Sequence, residues 1–204
     1  MFSRKSFLAL AVLLAGCAAM SAGDYRDRAA QMMKGDFSER GQAGLGRLDQ
    51  DETQALCSRR PADGALDRDA AARIEKLNLD GVRYPAAGRL LGDWREGEKI
   101  AQSGVGKQFS DNPKAPSGGN CYACHQLSPE ELSFGTIGPS LRSFAKTRGG
   151  GEAMQRYVYA KIYNPEAFTA CSSMPRFGRN GILTEDQIRH LTALLLDPQS
   201  PVNR

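Results

Sequence analysis

Cys121-Tyr122-Ala123-Cys124-His125 decides the reading of this chain. Two cysteines separated by two residues can bring both sulfurs to one edge of a planar macrocycle, and the histidine beside the second then lies under its centre. That is the attachment signature of a c-type haem. A thioredoxin-like redox pair would want a βαβ context, and a zinc half-site would want two more ligands at short spacing; the chain offers neither. The motif predicts one covalent haem c, linked through Cys121 and Cys124, with His125 on the iron.

Outward from this stretch the pattern is helical. Asp93 followed by Glu96 has capping-box spacing and predicts a helix to about residue 101, with Trp94, Gly97, Ile100 and Ala101 on one face. Residues 111–120 are rich in Pro and Gly and read as a loop. Residues 152–163 carry a helical period, with Met154, Tyr157, Val158 and Ile162 as inward positions, and Asn164-Pro165 ends it. Residues 170–181 read as a loop. Thr184 with Gln187 is a second capping box, and Ile188, Leu191, Leu194 and Leu195 form the stripe of a helix that runs to about residue 196. No strand pattern occurs. The expected fold class is all-α, a small haem domain over residues 89–204. Residues 24–88 are polar, with short helical pieces at 31–37, 47–56 and 69–77, and read as a helical or irregular N-terminal extension. Residues 85–88 read as a linker.

An iron held by His125 needs a sixth ligand or an open position. His190 lies within the last helix, where an exposed side chain is the ordinary reading. Met154 sits at a packing position, and Met32 and Met33 lie in the extension. Met174 differs, because it sits in a loop, is followed by Pro175, and precedes the last helix. It is the expected distal ligand; His/Met ligation raises the potential and suits electron transfer over small-molecule chemistry at an open iron. A ligating histidine also needs an acceptor for its other ring nitrogen. Gly138-Pro139-Ser140-Leu141 is either a plain turn or the segment that brings the Pro139 carbonyl there.

The N-terminus reads as a targeting segment over residues 1–22. Arg4 and Lys5 precede the apolar residues 7–15, a stretch too short to span a bilayer. Leu14-Ala15-Gly16-Cys17 resembles the lipobox of bacterial lipoproteins, in which the cysteine is lipidated and becomes the new N-terminus; cleavage after the small residues that follow is the other route. Both routes export the protein to the periplasm, and a lipid on Cys17 would be its link to a membrane. Among the five cysteines, Cys57 and Cys171 then remain, an even number in a disulfide-permissive compartment. A Cys57–Cys171 bridge is the simplest expectation, and a Cys171 thiolate near the iron is the alternative. The chain has 204 residues with a formal charge of +4, and without Arg4 and Lys5 its 27 basic side chains fall to 25 against 23 acidic ones. No run of five or more Lys or Arg occurs, which argues against nucleic acid as a partner.

Over residues 93–203 the chain resembles SoxX, the monohaem subunit of the SoxAX cytochrome complex of bacterial thiosulfate oxidation. The resemblance rests on Asp93-Trp94-Arg95-Glu96-Gly97-Glu98-Lys99-Ile100-Ala101 and on the residues around the haem motif from Gly118 to Gln126. It extends to Ile137-Gly138-Pro139-Ser140-Leu141, Arg156-Tyr157-Val158-Tyr159 and, most specifically, Cys171-Ser172-Ser173-Met174-Pro175-Arg176-Phe177-Gly178. It implies a class I-like cytochrome c fold with crossing first and last helices, thioether links at Cys121 and Cys124, His125 proximal, Met174 distal and the Pro139 carbonyl on His125. It implies a SoxA-like cytochrome subunit as partner, bearing the substrate-handling residues, and a SoxYZ-like carrier protein to whose cysteine thiosulfate is oxidatively coupled. On that picture the chain is the electron-accepting subunit of a heteromeric L-cysteine S-thiosulfotransferase and passes electrons to a downstream acceptor cytochrome. A stand-alone periplasmic electron-transfer cytochrome c is the alternative, since carrier and subunit share the same haem chemistry.

Overall fold

The computed structural model describes residues 21–59 and 66–204. Residues 1–20 of the targeting segment, Cys17 among them, lie outside the described residues, while Ser21 and Ala22 are described. Among those described, the chain is helical with no strand; a single bridge pairs Arg40 with Ala43.

The chain divides into two compact units. Of the described residues, the first comprises 21–39 together with 44–49. Its main element is α1, Ala22–Asp36, twice the length of the piece expected at 31–37. Met32, Met33 and Phe37 are exposed there, and a short 3-10 turn follows at Leu45–Leu48.

The second unit holds, of the described residues, 40–43, 50–59 and 66–204. Its frame is the crossing of α4, Trp94–Gln102, with α7, Glu185–Leu196. The crossing is close because Gly97 has no side chain. A Cβ there would lie 2.3 Å from the His190 carbonyl oxygen and 3.0 Å from the Leu194 Cβ. Residues entering α4 are laced to α7 as well: Gly92 N donates to the Arg189 carbonyl at 3.0 Å, and Asp93 N donates to His190 Nδ1 at 2.8 Å. The Thr184–Gln187 capping box forms in both directions at the start of α7. At α4 only half of the expected box forms. Asp93 accepts from Arg95 N, while Glu96 pairs with Lys99 instead.

The apolar stripe of α7 meets α6, Glu152–Tyr163, in one core with Leu127, Phe177 and Val202. On α6, Val158 and Ile162 are buried and Met154 and Tyr157 are half-buried, while Tyr159 is buried although the period did not single it out. Tyr84 explains this, because its ring stacks on Tyr159 at 5.6 Å and covers a second face of α6. A short α5, Phe144–Arg148, also lacks a sequence signal; Ala145 N donates to the side chain of buried Asn203, which closes the C-terminal turn at Pro201–Asn203.

The extension is not a separate layer up to residue 88. From residue 50 on it belongs to the second unit, so the boundary falls near 49, and residues 85–88 form a turn between buried or half-buried Tyr84 and Leu90. The piece expected at 47–56 is broken, because the Asp51 carboxylate accepts from Gln54 N and starts a new helix, α2, Glu52–Ser58. Asp67 likewise caps α3, Arg68–Asp80. The two helices are joined to α6 by a buried polar chain in which Asn78 donates to Thr53 Oγ1 at 2.9 Å and Asn164 donates to Asn78 Oδ1 at 2.8 Å. Both polar atoms of the Asn78 side chain are satisfied in this polar chain, while Asn164 Oδ1 is buried without a partner.

A candidate cofactor site around Cys121 and His125

Cys121–Ala123 form a tight 3-10 turn opened by Asn120, whose backbone is left-handed at φ 47°. The turn returns the Cys124 and His125 amides to the Cys121 carbonyl at 3.1 and 2.9 Å, so the two sulfurs and the imidazole belong to one rigid turn. Its entrance is tied to the end of α4 through Gly119 N to the Ile100 carbonyl and Asn120 N to the Ser103 carbonyl. Both cysteines are unpaired and half-buried. Cys121 packs against the core, and burial pushes its thiol up to about 12.

Tyr122, between the cysteines, is buried and donates to Glu98 Oε1 at 3.0 Å. Burial first, and the Glu98 carboxylate second, push its phenol above the ordinary range. The pair locks the turn onto α4. The motif gave no sign of it, because C-x-x-C-H leaves the intervening residues free.

His125 Nδ1 lies 2.7 Å from the Pro139 carbonyl oxygen. A carbonyl only accepts, so Nδ1 carries the hydrogen and Nε2 keeps its lone pair for a metal. Gly138 makes the approach possible. A Cβ there would lie 2.2 Å from His125 Cε1. The segment is held by a ladder in which Gly135 N meets the Tyr122 carbonyl, Gly138 N the Cys124 carbonyl and Leu141 N the Gln126 carbonyl, each at 2.8 Å. The acceptor that a ligating histidine requires is therefore in position.

Met174 lies in a loop between α6 and α7, half-buried against the same core as Cys121. The loop is tied back to α6 through Gly178 N and Arg179 N, both donating to the Tyr163 carbonyl at 3.0 Å. Of the other ligand candidates, Met154 packs against the core and Met32 and Met33 are exposed on α1. His190 is half-buried rather than a free surface residue, because its Nδ1 takes the Asp93 amide at the helix crossing. Cys57 and Cys171 are joined in a disulfide with Cα atoms 5.5 Å apart, which leaves no thiolate at Cys171. Among the described residues no group of three or more His, Cys, Asp or Glu gathers as a closed zinc site would need.

Two features of the loop carry no sequence signal. Arg176, almost fully buried, pairs with Asp51 at 2.6 Å. Buried Glu166 accepts from the Cys171 amide.

No protein-family model matches the chain. Over 158 residues it is 37% identical to an uncharacterized lipoprotein of Aquifex aeolicus (strain VF5), a match that covers 76% of this chain and 73% of that protein. The chain belongs to that protein's family.

Proposed function

We propose that this protein is an exported, lipid-anchored c-type cytochrome, the electron-accepting subunit of a periplasmic complex that couples thiosulfate to a cysteine of a SoxYZ-like carrier protein. The observation that carries the haem reading is the Pro139 carbonyl on His125 Nδ1, which leaves Nε2 free beside two unpaired cysteines in one turn. The residues suit the group: Cys121 and Cys124 would hold it covalently, His125 would ligate the iron, and Met174 would take the far side. When bound, the haem supplies a reversible one-electron Fe(III)/Fe(II) couple.

The chain's own residues do the rest. The Pro139 carbonyl fixes the imidazole tautomer and orientation, Gly138 lets the ring seat, and the apolar core behind Cys121 keeps water away. A thioether sulfur favours Fe(II) and raises the potential, which suits an acceptor of electrons. The lipid anchor is supported by the Leu14-Ala15-Gly16-Cys17 stretch and by the name of the Aquifex relative. No helix among the described residues is long and apolar enough to cross a membrane. The SoxA-like partner, the carrier and the downstream acceptor cytochrome follow from the resemblance over residues 93–203.

The decisive experiment mixes the haem-loaded protein with thiosulfate and reduced carrier protein, with and without a co-expressed SoxA-like partner, and follows haem reduction. Reduction that requires the partner supports the subunit. Reduction by many donors regardless of the partner supports the stand-alone carrier. A purified protein whose mass lacks one haem overturns both. Met174→Ala is expected to keep the haem attached and to lower the midpoint potential.

A further inference from the structure

One short helix holds the Met174 loop at both ends. Before Met174, Cys171 is bonded to Cys57 in the last turn of α2. After it, Arg176 Nη1 meets the carboxylate of Asp51, the N-cap of the same helix. The anchors lie six residues apart on α2, about 9 Å along its axis, and they bracket the methionine by three residues on one side and two on the other. Asp51 serves both roles with different atoms: Oδ1 accepts from Gln54 N at 2.9 Å, and Oδ2 accepts from Arg176 at 2.6 Å.

The helix is itself a fixed support. Thr53, buried in its first turn, is tied through Asn78 to Asn164 at the end of α6. The loop, by contrast, has little regular structure of its own. Cys171 has φ 59°, a conformation that a non-glycine residue keeps only where its surroundings impose it. The disulfide and the Glu166 carboxylate on the Cys171 amide are what impose it here.

We infer that α2 is a clamp for the distal side of the site: the Cys57–Cys171 bond and the Asp51–Arg176 pair hold the loop so that Met174 keeps its sulfur on the iron against competing ligands. Cys57, Asp51 and Arg176 are positioning residues. The inference rests on the haem reading above and gives residues 50–58 of the extension a role in it.

The test is an imidazole titration of the oxidised holoprotein, following loss of the weak long-wavelength sulfur-to-iron charge-transfer band. Asp51→Asn and the double variant Cys57→Ser/Cys171→Ser are compared with Glu52→Gln, which loses only the exposed pair with Arg73. A loop that is off the iron about ten times as often loses the band at about tenfold lower imidazole, and that shift is expected for the double variant, with a smaller one for Asp51→Asn. Glu52→Gln and Val202→Ala, a core truncation outside α2 and the loop, are expected to titrate like the parent. Equal titrations for Asp51→Asn and the parent overturn the clamp, and so does an equal shift in Val202→Ala. Where the double cysteine variant does not fold, Asp51→Asn decides alone. A parent holoprotein without the band overturns the Met174 assignment and the clamp with it, whereas a parent band that the clamp variants leave untouched overturns the clamp alone.

Discussion

The two sides of the candidate site are built in opposite ways. The His125 side is local: residues 121–126 and 135–141 hydrogen-bond to each other mainly through their backbones, and the farthest partner of the turn, Glu98 on Tyr122, is 24 residues away. The Met174 side is long-range. Its loop is held by a disulfide across 114 residues and an ion pair across 125. A local ladder survives substitutions elsewhere, because backbone groups supply it. A loop held by distant side chains can lose its geometry while the residue that matters is intact.

The sharpest break between the two sides is at the cysteines. Cys121→Ser/Cys124→Ser is expected to abolish covalent haem entirely, whereas loss of the loop anchors leaves it attached; mass spectrometry of each variant checks this.

Next in size is the disulfide. Removing the cross-link in Cys57→Ser/Cys171→Ser is expected to cost up to about 5 kcal/mol of unfolding free energy, the chain-entropy value for closing a loop of this length, measured by denaturant unfolding. Gly138→Ala tests the other side, where the new methyl group must displace the His125 ring. A cost of about 2 kcal/mol is expected from such overpacking, accompanied by a changed midpoint potential that the loop variants do not share.

The smallest effect expected is that of Asp51→Asn, about 1 kcal/mol, because Asp51 is over one third exposed and the amide can still accept from Gln54 N. It has a signature in pH. Burial works to raise the Asp51 carboxyl, but the Gln54 N–H and the Arg176 guanidinium outweigh it and hold the group below its ordinary value. A carboxyl depressed in the fold contributes stability above its unfolded pKa, about 3.9, and loses it as pH falls through the lower folded value. The stability difference between parent and Asp51→Asn is therefore expected to be full at neutral pH and to shrink below about pH 4.

The same contrast governs what the sequence makes legible. The crossing helices α4 and α7 were readable because each carries its own cap and stripe. The loop position of Met174 was readable from Pro175 and the loop stretch around it, whereas the Pro139 carbonyl on His125 was not legible from the residues alone, which read equally as a plain turn, and was expected only from the resemblance. The break at Asp51 was readable in principle, since Asp51 with Gln54 is itself a capping box, yet the apolar spacing from Arg47 to Leu56 ran across it. Tyr159 could not be assigned inward from the period of α6, because the ring that covers it comes from Tyr84, 75 residues earlier. The Arg176–Asp51 pair is illegible for the same reason: neither residue has a local pattern that names the other.

The crossing at Gly97 and His190 has a consequence in time. Its two halves are about 90 residues apart in the chain, on either side of Cys121–His125, so the frame cannot shut until the last helix is present. In a chain threaded N-terminus first across a membrane, Cys121 and Cys124 emerge some sixty residues ahead of α7. If they carry the haem proposed above, they would be presented while the frame is still open, and the machinery that joined them to a macrocycle would work on a chain not yet closed around its own site.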